Sequence, residues 1–134
     1  MIFVDTGAWA ALAAPDDPRA AEARRFHAGL SRGGHGALVT PDFVLDETAT
    51  LIRMHRDVST AARLVRGLLS SPGVTLVQVD RDHLQKALEL FEAHPDKRWS
   101  FTDCTSFVAM QDLGIQRAFA FDKNFEQAGF ERLP

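Results

Sequence analysis

The side chains of this 134-residue chain best placed to do chemistry are carboxylates. Asp5 follows the apolar run Ile2-Phe3-Val4, Asp80 follows Val74 to Val79, and Asp122 follows Arg117 to Phe121. Each run is short and apolar in the manner of a buried strand. In an open α/β sheet, ligands collect in the crevice beyond the carboxyl ends of the strands. An acid there also has an ordinary structural role, as N-cap of the next helix. Two such acids on neighbouring strands, Asp5 and Asp122, would make a shared site. Glu47 lies on an amphipathic helix that starts near Thr40, at the border of the face marked by Leu45, Ala49 and Ile52. Asp42 and Asp46 form an outward stripe four residues apart on the same helix. Ser100-Phe101-Thr102-Asp103 fits a capping box, with Ser100 as N-cap. The same string puts an acid in the first turn of a helix, where it could point at a site above the sheet edge.

Other chemistries lack their residues. The five histidines (His27, His35, His55, His83, His94) have no i,i+4 partner and no HExxH spacing, so no zinc pattern is present. There is no GxSxG string, and the single cysteine, Cys104, has no evident base. Gly33-Gly34-His35-Gly36 matches neither a dinucleotide loop nor a Walker A loop. Carboxylates without histidine suit hard, oxygen-preferring cations such as Mg²⁺ or Mn²⁺.

The elements that must position these acids alternate. Strands are expected at Ile2–Val4, Ala37–Val39, Val74–Val79 and Arg117–Phe121, with a last edge segment at Phe130–Leu133. Helices are expected between them. One runs from Ala8 to Ala14, and one is opened by Asp17-Pro18 and runs to about Ser31. Another starts at Thr40-Pro41, and one more reaches about Ser70. Further helices span Arg81–His94 and Ser100–Leu113, and a short turn spans Lys123–Ala128. This alternation predicts an α/β fold, a three-layer α/β/α sandwich around a mostly parallel sheet. The length fits one domain over residues 1–134.

Charge is uneven along the chain. The net charge is −3 with pI ≈ 5.9, so bulk positive charge does not draw this molecule to nucleic acid. Residues 19–66 nevertheless carry eight arginines against five acids. Arg53, Arg56, Arg63 and Arg66, at spacings of three, are candidates for a phosphate-facing surface; a solvated helical face has the same appearance. No run reaches the ~18 apolar residues of a membrane span, and Asp5 interrupts the first apolar stretch, so a cytoplasmic location is expected.

Four strings together resemble the PIN-domain ribonucleases: Val4-Asp5-Thr6, Val44-Leu45-Asp46-Glu47, Trp99-Ser100-Phe101-Thr102-Asp103-Cys104 and Phe121-Asp122-Lys123-Asn124-Phe125. The length and the segment Phe125–Leu133 resemble, within that family, the VapC toxins of type II toxin–antitoxin pairs. The resemblance implies that Asp5, Glu47, Asp103 and Asp122 are an acidic quartet holding Mg²⁺ or Mn²⁺, with Thr6 and Ser100 in supporting positions. It implies an endoribonuclease acting through a metal-activated water. Its partners would be an RNA substrate, a cognate antitoxin and a second copy in a homodimer. The sequence departs from the family pattern at Gly7, where serine is frequent, and Asp46 adds an acid without an assigned role. Four such carboxylates would repel by about 4 kcal/mol for each pair 4 Å apart at an effective dielectric near 20, so a cation or shared protons must offset them.

A receiver-type phosphoacceptor domain is the alternative of another class. It shares the length, the α/β alternation and a lysine after a late strand, here Lys123. It wants an acidic pair after its first strand, where this chain has Thr6-Gly7, and its acceptor would be Asp80.

Overall fold

A computed structural model describes residues 1–134. Five short strands, β1 (Ile2–Val4), β2 (Leu38–Pro41), β3 (Val74–Val77), β4 (Arg117–Phe119) and β5 (Glu131–Leu133), form one sheet in the order β3-β2-β1-β4-β5. Every neighbouring pair is parallel. Consecutive side chains on a strand point to opposite faces. Ile2, Phe3 and Val4 are all fully buried, so both faces of the sheet are covered around β1.

Seven helices connect the strands: α1 (Thr6–Ala13), α2 (Ala20–Leu30), α3 (Asp42–His55), α4 (Val58–Ser70), α5 (Arg81–Ala93), α6 (Phe101–Leu113) and α7 (Asn124–Gln127). α6 is buried on nearly every side, with Cys104 to Met110 all inside. It ends at Gly114, whose φ of 67° is the left-handed conformation that glycine adopts without a Cβ clash. A chain of buried hydrogen bonds ties α1 to the sheet. Trp9 Nε1 donates to Thr40 Oγ1 at 3.2 Å, and Thr40 Oγ1 donates to the Val4 carbonyl at 2.9 Å. The start of α1, next to Asp5, is thereby locked against β1 and β2.

The strand order creates a switch point. From β1 the chain moves outward through β2 to β3, then returns to the other side of β1 as β4. The crevice for a ligand opens where the direction reverses, beyond the ends of β1 and β4. Asp5 stands directly after β1, and Asp122 three residues after β4.

The structure corrects several expectations. α2 starts at Ala20 rather than at Pro18; Asp17 instead accepts the Arg19 backbone N–H at 2.8 Å, closing a tight turn ahead of the helix. Asp42 is not an outward acid. Its Oδ1 accepts from the backbone N–H of Val79 at 3.0 Å and of Phe43 at 2.9 Å, pinning α3 to the segment after β3. Trp9 is in the core, and Leu12, Phe26 and Leu30 pack against it. Phe26 meets Phe119 edge to face at 4.7 Å.

Candidate active site

Asp5 is 8% exposed at the carboxyl end of the central strand. Its backbone N–H donates to the Phe119 carbonyl of β4, and its own carbonyl accepts from Ala8 and Trp9 as α1 begins. The main chain around Asp5 is therefore held from both neighbouring elements. Burial pushes its carboxyl up to about 7, helped by the nearby charges of Asp103 and Glu47, while the backbone N–H groups of Thr6 and Gly7 pull it down.

Glu47 reaches in from α3. Thr6 Oγ1 donates to its Oε2 at 2.8 Å, joining the first residue of α1 to an otherwise exposed glutamate. Asp103 does both things its sequence context allows. It completes the capping box of α6: its backbone N–H donates to Ser100 Oγ at 2.9 Å, and its Oδ2 accepts the Ser100 backbone N–H at 2.9 Å. The same Oδ2 accepts from Asn124 Nδ2 at 3.0 Å. Burial raises its carboxyl above the usual range, with the charge of Asp122 adding to the effect and the Ser100 and Asn124 hydrogen bonds opposing it. Asp122 is exposed, and its Oδ1 accepts the Asn124 backbone N–H at 2.9 Å.

Asp5, Glu47, Asp103 and Asp122 are thus brought to one edge of the sheet, with Thr6 and Ser100 each bonded to a member. Asn124 holds two of the four and was missed from the sequence, although it lies inside the string Phe121-Asp122-Lys123-Asn124-Phe125. Asp80 and Asp46 are not part of the group. Asp80 follows β3 at the outer edge of the sheet, where it is exposed and caps α5 through His83. This also removes the receiver reading, since its required acceptor is separated from Asp5 by β2. Cys104 is buried, and its thiol is pushed up to about 11 by desolvation, which leaves no thiolate nucleophile.

As the side chains stand, no three of the chain's His, Cys, Asp or Glu residues form a closed ligand set. The donor chemistry still fits one kind of ion. Every atom on offer is oxygen, and a buried acid with a carboxyl near 7 beside two further carboxylates is short of positive charge. Oxygen donors in that arrangement suit Mg²⁺ or Mn²⁺.

The family model for the PIN domain matches residues 2–131. The chain belongs to the PIN-domain family. Its similarity is to the VapC members in particular. It is 39% identical over 132 residues to the 23S rRNA-specific endonuclease VapC20 of Mycobacterium tuberculosis, covering 97% of this chain and 95% of that one. It is 30% identical over 94 residues to a VapC ribonuclease of Archaeoglobus fulgidus, covering 69% of this chain and 58% of that one. The crystal structure of M. tuberculosis VapC20, described as a sarcin–ricin loop cleaving toxin, matches with a TM-score of 0.89 at 35% identity, over 97% of this chain and 96% of that one. No helix of this PIN domain is long and apolar enough to cross a membrane.

Proposed function

We propose that this PIN domain is a Mg²⁺- or Mn²⁺-dependent endoribonuclease and the toxin of a type II toxin–antitoxin pair. The observation that carries the reading is the environment of Asp5, a buried carboxyl raised to about 7 at the switch point and facing Asp103 and Glu47. A fold gains no stability from crowding acids in this way, so the arrangement suits a cation. Bound there, a divalent ion supplies an activated water and offsets charge growing on the phosphoryl oxygens. The protein's own contribution is to aim the ligands. Thr6 orients Glu47, and Ser100 and Asn124 orient Asp103, as hydrogen-bonded supports do around metal ligands.

The substrate proposed is RNA, and 23S ribosomal RNA in particular, by similarity to VapC20. The partners proposed are a cognate antitoxin that covers the acidic edge and a second copy of the chain, and the compartment is the cytoplasm. For the homodimer, the surface proposed is the corner between α3 and α4, where Met54 is 77% and Val58 57% exposed.

The test is incubation of purified protein with deproteinised 23S ribosomal RNA in Mg²⁺, in Mn²⁺ and in EDTA. Cleavage with either metal and none in EDTA is the expected result. Undiminished cleavage by metal-free protein would refute the metal-dependent mechanism.

A further inference from the structure

An RNA phosphate approaching the acidic edge is repelled by its carboxylates unless positive charge offsets them. Besides the proposed metal ion, Arg19 stands near that edge. Its side chain enters two long contacts with Asp17, Nε to Oδ1 at 3.3 Å and Nη2 to Oδ2 at 3.5 Å. Its guanidinium carbon lies 4.9 Å from the centre of the Phe121 ring, in the residue immediately before Asp122. These contacts occupy Nε, Nη2 and one face of the group. Nη1 has no protein partner among the hydrogen bonds or ion pairs of the chain.

Nη1 is the atom of Arg19 that reaches Gly7, beside Asp5. A Cβ built on Gly7 would stand 3.6 Å from Arg19 Nη1 and 4.0 Å from Asp5 Oδ2. Guanidinium and carboxylate therefore flank the same bare stretch of backbone. They do not pair, because Arg19 bonds Asp17 instead. Gly7, the departure from the family pattern noted in the sequence, leaves open the space that a larger side chain would take. Arg19 also lines a cleft of about 330 Å³ with His55 and Arg56, between α1 and the end of α3. Arg56 is itself bound to Asp16 there.

We propose that Arg19 is a substrate-binding residue of the acidic site, donating from Nη1 to a phosphate oxygen of RNA next to the carboxylates, with Gly7 keeping its path clear. The proposal rests on the endoribonuclease reading. The chemistry suits the role. Guanidinium is planar, always charged and matched to phosphate geometry, and it contacts charge that grows on phosphoryl oxygens. The Arg19 side chain is 44% exposed in this pair and its two contacts with Asp17 are long, so a phosphate can compete for the group. The Phe121 ring holds the guanidinium plane while that exchange occurs.

The experiment compares native protein, Arg19→Met and Arg19→Lys, with Arg19→Gln as a second neutral variant should the methionine variant melt below the assay temperature. Cleavage of 23S ribosomal RNA in Mg²⁺ gives kcat and KM. Binding of a synthetic RNA hairpin in EDTA, at several salt concentrations, gives the salt slope. The neutral variant should lose about tenfold or more in kcat/KM and flatten the slope by about one unit. Arg19→Lys should restore the slope and less of kcat/KM, since it keeps the charge but not the planar fork. Native protein that leaves RNA intact overturns the nuclease reading and this one with it. Native protein that cleaves, with a neutral variant that matches it in kcat/KM or keeps the full salt slope, overturns the phosphate contact alone.

Discussion

Asn124 donates from Nδ2 to Asp103 Oδ2 at 3.0 Å, and so holds a carboxylate of α6 from the segment that follows β4. Its backbone N–H meanwhile serves Asp122 at 2.9 Å. One residue sets the spacing of two acids that belong to different elements.

Asn124→Ala removes the first of these bonds and keeps the second. Supports of this kind change metal affinity by about 10–100-fold when lost. A Mg²⁺ titration of cleavage should shift its midpoint upward within that range while the metal-free melting temperature barely moves. Thr6→Val should act in the same direction through Glu47, and Thr6→Ser should retain function because it keeps the hydroxyl.

Asp103→Asn tests the site against the cap. Asparagine can still accept the Ser100 N–H, and the charge that burial disfavours is gone. Without metal the variant should be as stable as the native protein or more so. Metal at 100 times its dissociation constant should stabilise the native protein by about 2.7 kcal/mol, and the variant should lose most of that gain together with cleavage. Melting curves in EDTA and in Mg²⁺ read both effects. An equal loss of melting temperature in the two conditions, with cleavage intact, would remove Asp103 from the site.

Asp5 gives the metal-free protein a pH dependence of definite sign. Its carboxyl ionises near 3.8 when unfolded and near 7 when folded, so between these values the native state binds more protons. Stability should therefore be full below about pH 4 as far as Asp5 is concerned, and should fall as pH rises towards 7, by up to about 4 kcal/mol. The depressed carboxyls of Asp17, Asp57 and Asp80 act at the acid end, with the opposite sign, below the usual carboxylate range. Urea unfolding in EDTA across this window is the measurement, and Asp5→Asn should flatten the curve. A native protein that gains stability from pH 5 to 7 would contradict the raised carboxyl.

Val58→Asp and Met54→Asp place a charge on the exposed α3–α4 corner. The change should cost a monomer little, within about 0.5 kcal/mol, because neither side chain is part of the core. In a dimer built on this corner it buries an unpaired charge. Light scattering should show the native chain at twice the monomer mass and the variants at the monomer mass.

Much of this arrangement is legible in the residues. The short runs read as strands match all five to within two residues at each end; β1, buried on both faces, has an uninterrupted apolar signature, whereas β3 and β5 are only partly buried. The acids at the ends of β1 and β4 follow from the same pattern. Contacts between elements are less visible. Asp17 before Pro18 reads as a helix cap, yet its carboxylate is taken by Arg19 and the helix waits until Ala20. Asp42 reads as a solvated acid, yet it serves the backbone of Val79, far along the chain. The four arginines at spacings of three have different neighbours. Arg53 and Arg66 line a hollow between α3 and α4, Arg63 lines a groove bounded by α1 and α2, and Arg56 turns to Asp16. Spacing within a helix says nothing of how the next helix is rotated against it.

The sheet order also has a consequence for synthesis. β1 sits in the middle of the sheet, and its partner β4, like Asp103 and Asp122, leaves the ribosome long after Asp5. The nascent chain can pair β1 with β2 early, but Asp5 then lacks the strand that accepts its N–H and the Asp103 carboxylate that faces it. The acidic edge is therefore incomplete until residues beyond β4 have docked. The delay is written into the topology, because a central first strand must wait for its late neighbour before the acidic edge exists.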